Sequence, residues 1–158
     1  QFKELFMKAF GQLISMRESI LEDCLLIQAK LFDCKDLDSK QDRLEDELEM
    51  TTEMMRRCIE ENSVKAQDQA EYIQRYDFYS QKYEKLKKKL DALLAERQRR
   101  KEHYDLLGGF IDMLRQHDQM PLVFDVGLWV GAVDHATVYN DHRVVFTFKG
   151  GVEITEEL

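Results

Sequence analysis

The sequence predicts a mainly α protein: a long antiparallel coiled-coil hairpin on a small α/β base, the base being a short helix plus a three-stranded antiparallel sheet. Three observations predict this. Tyr72, Tyr76, Tyr79, Tyr83, Leu86, Leu90, Leu93, Arg97, Arg100, Tyr104, Leu107, Ile111 and Leu114 follow one another at alternating spacings of four and three. A second run, Leu37, Gln41, Leu44, Leu48, Thr51, Met55 and Cys58, has the same spacing. After Leu114 the texture changes to short β-rich runs separated by turn residues.

The chain opens on an amphipathic helical stripe from Gln1 to Leu31, carried by Phe6, Phe10, Leu13, Ile20, Cys24, Ile27 and Leu31. Gln1 falls inside this pattern, which reads as a start within a longer chain. Asp33-Cys-Lys-Asp-Leu-Asp38 is polar and interrupts the stripe. The seam from Leu37 to Cys58 then implies one arm of a coiled coil, ending near Asn62. Asp68 and Glu71 fit a capping box, so a second helix starts at Asp68. Reaching His117, it would run about 75 Å at ~1.5 Å per residue. The short connection between the two makes them antiparallel.

The pairing follows by hand. Leu37 faces Leu93, Gln41 faces Leu90, Leu44 faces Leu86 and Leu48 faces Tyr83. Thr51 then faces Tyr79, Met55 faces Tyr76 and Cys58 faces Tyr72, so large rings oppose small or flexible side chains. Acidic residues dominate Asp33 to Glu49, and basic ones dominate the opposite stretch from Lys82 to Arg97. Flanking charges of opposite sign fix register in coiled coils. Arg97 and Arg100 fall opposite Cys34 and Lys30, where the apolar seam fails, and a bend is expected there.

Gln116-His-Asp-Gln-Met-Pro121 breaks the long helix. Phe124 to Val133 reads as a short helix capped by Asp125. His135–Tyr139, Arg143–Phe148 and Val152–Ile154 read as strands joined by turns at 140–142 and 149–151. The expected organisation is a base helix over 1–32, a hairpin over 33–118 with its turn at 62–68, and an αβββ unit over 119–158 packing on the base helix through Phe2, Phe6, Phe10 and Trp129.

Composition narrows the function classes. The 158 residues include one Pro and seven Gly, which suits long helices. A net charge of −8 argues against a surface devoted to nucleic acid. No apolar run reaches the ~20 residues a membrane-spanning helix needs. Cys24, Cys34 and Cys58 form no CxxC pair and no zinc-ligand spacing, which reads as reduced thiols in a cytoplasmic protein. GxSxG, P-loop, HExxH and GxGxxG motifs are absent, and His103, His117, His135 and His142 are scattered. The tyrosines lie at heptad spacing and read as seam residues.

Two groups stand apart from this scaffold. Lys87, Lys88, Lys89, Arg97, Arg99, Arg100 and Lys101 could meet phosphates, or simply form a solvated, acid-paired helix face. Phe78, Met50 and Met54 lie off the seams near the turn, and Val64 lies in the connection itself.

Met7-Lys-Ala-Phe-Gly-Gln-Leu-Ile14, Cys58-Ile-Glu-Glu-Asn62, Asp68-Gln-Ala-Glu-Tyr72, Phe124-Asp-Val-Gly-Leu-Trp129, Val138-Tyr139 and Phe146-Thr-Phe-Lys-Gly-Gly-Val-Glu-Ile154 together resemble the C-terminal part of large serine recombinases, the phage integrases and transposon recombinases of bacteria. The resemblance runs over essentially the whole chain. It implies a non-catalytic region of a DNA integration and excision protein, with the catalytic Ser and the zinc-ligating Cys upstream and no cofactor in this region. It implies a coiled-coil arm that contacts other recombinase subunits during synapsis, a directionality factor as a further partner, DNA bound by the full-length parent, and a location in the bacterial cytoplasm. The expected partner-contacting residues are Val64, Lys65, Ala66, Gln67, Phe78 and Met54. The alternatives are direct DNA-backbone contact through Lys87, Lys88, Lys89, Arg99, Arg100 and Lys101, or a generic coiled-coil spacer.

Overall fold

The computed structural model describes residues 1–64 and 68–158. Its elements are α1 (Phe2–Ser15), α2 (Arg17–Leu31), α3 (Lys35–Val64), α4 (Gln69–Gln116), α5 (Val126–Ala132), β1 (Val133–Val138), β2 (Arg143–Phe148) and β3 (Glu153–Glu157). The fold is mainly α, with a long antiparallel helical hairpin, a short helix and a three-stranded antiparallel sheet. The chain divides into two compact units, one of Gln1–Asp33 with Lys101–Leu158 and one of Cys34–Arg100. The C-terminal turns of α4 therefore belong to the first unit.

In that first unit, Leu5, Phe6, Ala9, Phe10 and Leu13 bury one face of α1, and Ile20 and Cys24 continue it on α2. The stripe is one sequence pattern but two helices. They meet at Met16 (φ −101°, ψ 10°), whose N–H is shared between the Gln12 and Leu13 carbonyls. Leu31, expected to close the stripe, is 62% exposed. It is the last residue of α2, and beyond it the helical period no longer dictates direction, so Phe32 turns inward and stacks on His103 with centroids 5.3 Å apart.

Leu107, Phe110, Ile111, Met113 and Leu114 of α4 fill the same core. Tyr104, expected on the seam, is 46% exposed, and its carbonyl accepts a bond from Gln28 Nε2. The buried stripe here is wider than a coiled-coil seam because these turns pack among helices and a sheet instead of against one helix.

The sheet is a meander of order β1-β2-β3 with β2 central. Val144, Phe146 and Phe148 alternate inward along β2, as a strand with one covered face requires. Phe146 meets Phe2, Phe6 and Trp129 in one ring cluster, with Phe124 at its edge. Each fully buried apolar side chain of this kind stabilises by about 1.5–3 kcal/mol. Asp125 caps α5 by accepting from the Gly127 N–H at 3.0 Å. β1 begins at Val133, earlier than expected, and β3 runs further than expected, to Glu157. His142 (φ 64°) makes the β1–β2 turn in a conformation that His tolerates better than most residues. Gly151 (φ 79°) makes the β2–β3 turn, donating its N–H to the Phe148 carbonyl.

The second unit holds the paired seams. Leu37, Thr51, Cys58, Leu86 and Leu90 are buried, and Gln41, Leu44, Leu48, Met55, Tyr72, Tyr76, Tyr79, Tyr83 and Leu93 are half-buried. Contacts at both ends match the expected register. Cys34 Sγ reaches the Arg97 carbonyl at 4.0 Å, and Gln69 Nε2 donates to Asn62 Oδ1 at 3.2 Å.

The tightest backbone approach lies in the first unit. A Cβ on Gly150 would stand 2.5 Å from Phe110 Cε1 and 3.1 Å from Cys24 Sγ, and both neighbours are buried. Gly150→Ala should therefore destabilise by about 1–3 kcal/mol through overpacking. Thermal unfolding should show it as a melting temperature several degrees lower, with unchanged secondary structure well below the transition.

Candidate interaction surface

The two helix ends that flank the connection follow helix-end chemistry. α3 runs through Val64, two residues beyond the expected end, so Val64 is a helical residue and is 81% exposed. Lys65, Ala66 and Gln67, expected at the contact, lie outside the described residues. Asp68 caps α4 by accepting from the Ala70 N–H at 2.9 Å, while its carbonyl accepts from Tyr72. Arg75 Nη2 bridges to Glu61 Oε2 at 3.0 Å, tying the helices together close to the turn.

The seam decides which side chains face outward. With the seam residues as a and d positions, Met54 falls at g, and Met50, Val64 and Phe78 fall at c. In an antiparallel pair, the g flanks of both helices share one side, and c positions adjoin them. Met50, Met54, Val64 and Phe78 therefore share a side, with exposures of 63%, 38%, 81% and 64%. Phe78 leans edge-on against Tyr79, its centroid 5.4 Å away, so one ring is partly held by the seam while its outer face stays open. Ile59 and Ile73 occupy e positions on the opposite side and are 48% and 53% exposed.

The basic candidates do not form a single face. Lys87 bridges to Asp91 at 3.0 Å, and that carboxylate raises the pKa of its ammonium. Arg99 pairs with Glu96. Arg100 pairs with Glu96 at 3.0 Å and with Asp36 at 2.7 Å, and both partners raise its pKa. Lys88, Lys89 and Lys101 are exposed. Three of the six candidate phosphate contacts are thus already engaged by carboxylates. On the outer face of α3, Glu53 accepts from both Arg56 and Arg57, and these bonds hold its carboxyl well below the usual range, to about 2.

One surface was not anticipated. In the first unit, Met120, Pro121, Leu122, Val123 and Phe124 form a groove with Met7, Lys3 and Lys8 of α1. Leu122 is 100% exposed and Val123 75%. The available signal was the run Met120-Pro-Leu-Val-Phe124, which is apolar yet sits around the only proline. Its apolar character does not say which side chains stay outside, since Phe124 packs on the core and Leu122 does not.

Among the described residues, no three His, Cys, Asp or Glu side chains converge to hold a metal ion, and no helix is long and apolar enough to cross a membrane. Comparison with family models, curated proteins and solved structures gave no match.

The Glu53 pairs make a pH prediction. A carboxyl with a depressed folded pKa contributes stability above its ordinary value near 4.5, and that contribution fades as pH falls toward about 2. Carbon NMR of the Glu53 carboxyl should find a midpoint near 2. Replacing both arginines with Gln should return it to the ordinary carboxylate range.

Proposed function

We propose that this chain is the C-terminal coiled-coil-bearing region of a large serine recombinase, and that its hairpin makes contacts between DNA-bound subunits for synapsis and for the direction of integration and excision. The observation that carries the reading is the shared side of the hairpin bearing Met50, Met54, Val64 and Phe78, all exposed and all off the seam. The order of the sequence motifs over the whole chain supports the family. The reading assigns this region no chemistry and no cofactor of its own. Its catalytic Ser and zinc ligands would lie upstream, a directionality factor would be a second partner, and the setting would be the bacterial cytoplasm.

The mechanism is one of tethering. A patch of four apolar side chains is too small for a stable interface between free molecules, since specific interfaces bury about 1,200–2,000 Å². Two hairpins held on neighbouring DNA sites have a high effective concentration for one another, about millimolar for short tethers. A weak contact then forms only when the DNA sites orient the two hairpins compatibly. The acid pairing of Lys87, Arg99 and Arg100 favours this reading over direct DNA contact.

In the full-length parent, Val64→Glu with Phe78→Glu should lower recombination between attachment sites by roughly tenfold or more, equivalent to about 1.4 kcal/mol of lost contact. Catalytic-domain cleavage should remain, and circular dichroism should be unchanged because both positions are exposed. Unaltered recombination would remove the reading. In a gel-shift assay, this chain alone should leave nonspecific duplex DNA unshifted even at low salt. A shift that weakens with salt would instead support backbone contact through Lys88, Lys89 and Lys101.

A further inference from the structure

The layers that close the hairpin differ along its length. Between Leu44 and Cys58, α3 meets α4 through Leu44, Leu48, Thr51, Met55 and Cys58. At its first two turns, Leu37 is the apolar seam residue, and the next seam position is Gln41. Three polar contacts cross between the helices at these turns. Arg100 Nη1 meets Asp36 Oδ1 at 2.7 Å, Arg97 Nη2 meets Asp38 Oδ1 at 3.0 Å, and Arg97 Nη1 donates to Gln41 Oε1 at 2.6 Å.

The surrounding charges adjust these bonds. Glu96 accepts from Arg100 at 3.0 Å and also pairs with Arg99, so it holds the guanidinium from its own helix. Lys40 leans on Asp36 at 3.9 Å from the side of α3. Both helices therefore compete for the ions that join them. Asp36 and Asp38 side chains are 51% and 52% exposed, within reach of dissolved salt.

We propose that the mouth of the hairpin is an ionic clasp: two arginines of α4 hold the first two turns of α3, and salt releases those turns while the apolar middle of the hairpin stays closed. The physical basis is unequal screening. Ion pairs open to solvent lose attraction as the screening length falls from ~10 Å at 0.1 M salt to ~3 Å at 1 M, Arg97–Asp38 more than Arg100–Asp36, whose guanidinium is 24% exposed. Apolar layers do not weaken in this way, and salting-out ions strengthen them. Leu37 is the buried apolar side chain of the released segment. The clasp gives the hairpin a graded opening at one end that a continuous leucine seam would not have.

Native-state hydrogen exchange on the whole chain tests this. Raising sodium chloride from 0.05 M to 1 M should speed amides 38–43 relative to amides 51–58 by roughly fivefold or more. Asp36→Asn with Asp38→Asn should show the faster exchange already at low salt. Gln41→Leu with Arg97→Leu places an apolar layer there and should abolish the salt response, with circular dichroism confirming that the helices persist. Equal salt responses of the two amide groups in the native chain would overturn the proposal, as would unchanged exchange at 38–43 in the double Asn variant.

Discussion

The hairpin depends on a match of sizes across its seam. Four tyrosine rings on α4, from Tyr72 to Tyr83, need space that a leucine-rich partner would not leave. α3 makes that space with Thr51 and Cys58, which are 2% and 1% exposed. A buried hydroxyl is costly when unpaired, but Thr51 Oγ1 donates to the Glu47 carbonyl at 2.7 Å within its own helix. The ring stack then continues between tyrosines, with Tyr72 and Tyr76 centroids 6.1 Å apart. In the native pairing one ring, Tyr83, meets Leu48; a slide of one heptad that brought Tyr72 to Thr51 would set Tyr76 against Leu48 and Tyr79 against Leu44 as well. Close packing does not tolerate that crowding.

That single constraint reaches the surface. Once Thr51 and Cys58 face inward, Met50, Met54 and Val64 are turned to one flank of α3, and Phe78 to the same side on α4. The candidate contact surface is thus the geometric remainder of the seam. The same logic sets the polar end. Arg97 and Arg100 continue the heptad spacing past the last leucines, so guanidinium groups occupy positions where apolar layers would otherwise stand, and Asp36, Asp38 and Gln41 meet them.

In the other unit, aromatic packing takes the organising role. Phe6, Phe10, Phe110, Phe146 and Phe148 are essentially inaccessible, and they come from two helices and the central strand. The β2–β3 turn approaches Phe110 so closely that only glycine fits at position 150. Two kinds of core thus coexist in one chain, a narrow repeating seam and a clustered aromatic centre. α4 contributes to both, which explains why its buried stripe widens after Arg100.

The sequence by itself determined the helical hairpin, the Asp68 cap that starts its second helix, its register, the Asp125 cap and the three-stranded sheet. All of these rest on local rules: heptad spacing, side-chain capping and strand alternation act over a few residues and are visible in order. Met50, Met54 and Phe78 were recognisable as off-seam residues for the same reason, whereas Val64 reads from sequence as part of the connection and joins α3 only in the structure. Only the tertiary structure decided that Leu31 and Tyr104 stay exposed, that Phe32 turns inward, that Leu122 stands open beside Met120 and Val123, and that Arg100 reaches Asp36 on α3. Each of these depends on which distant surface meets a residue once the helix has ended or its partner has changed, and no periodic pattern along the chain carries that information.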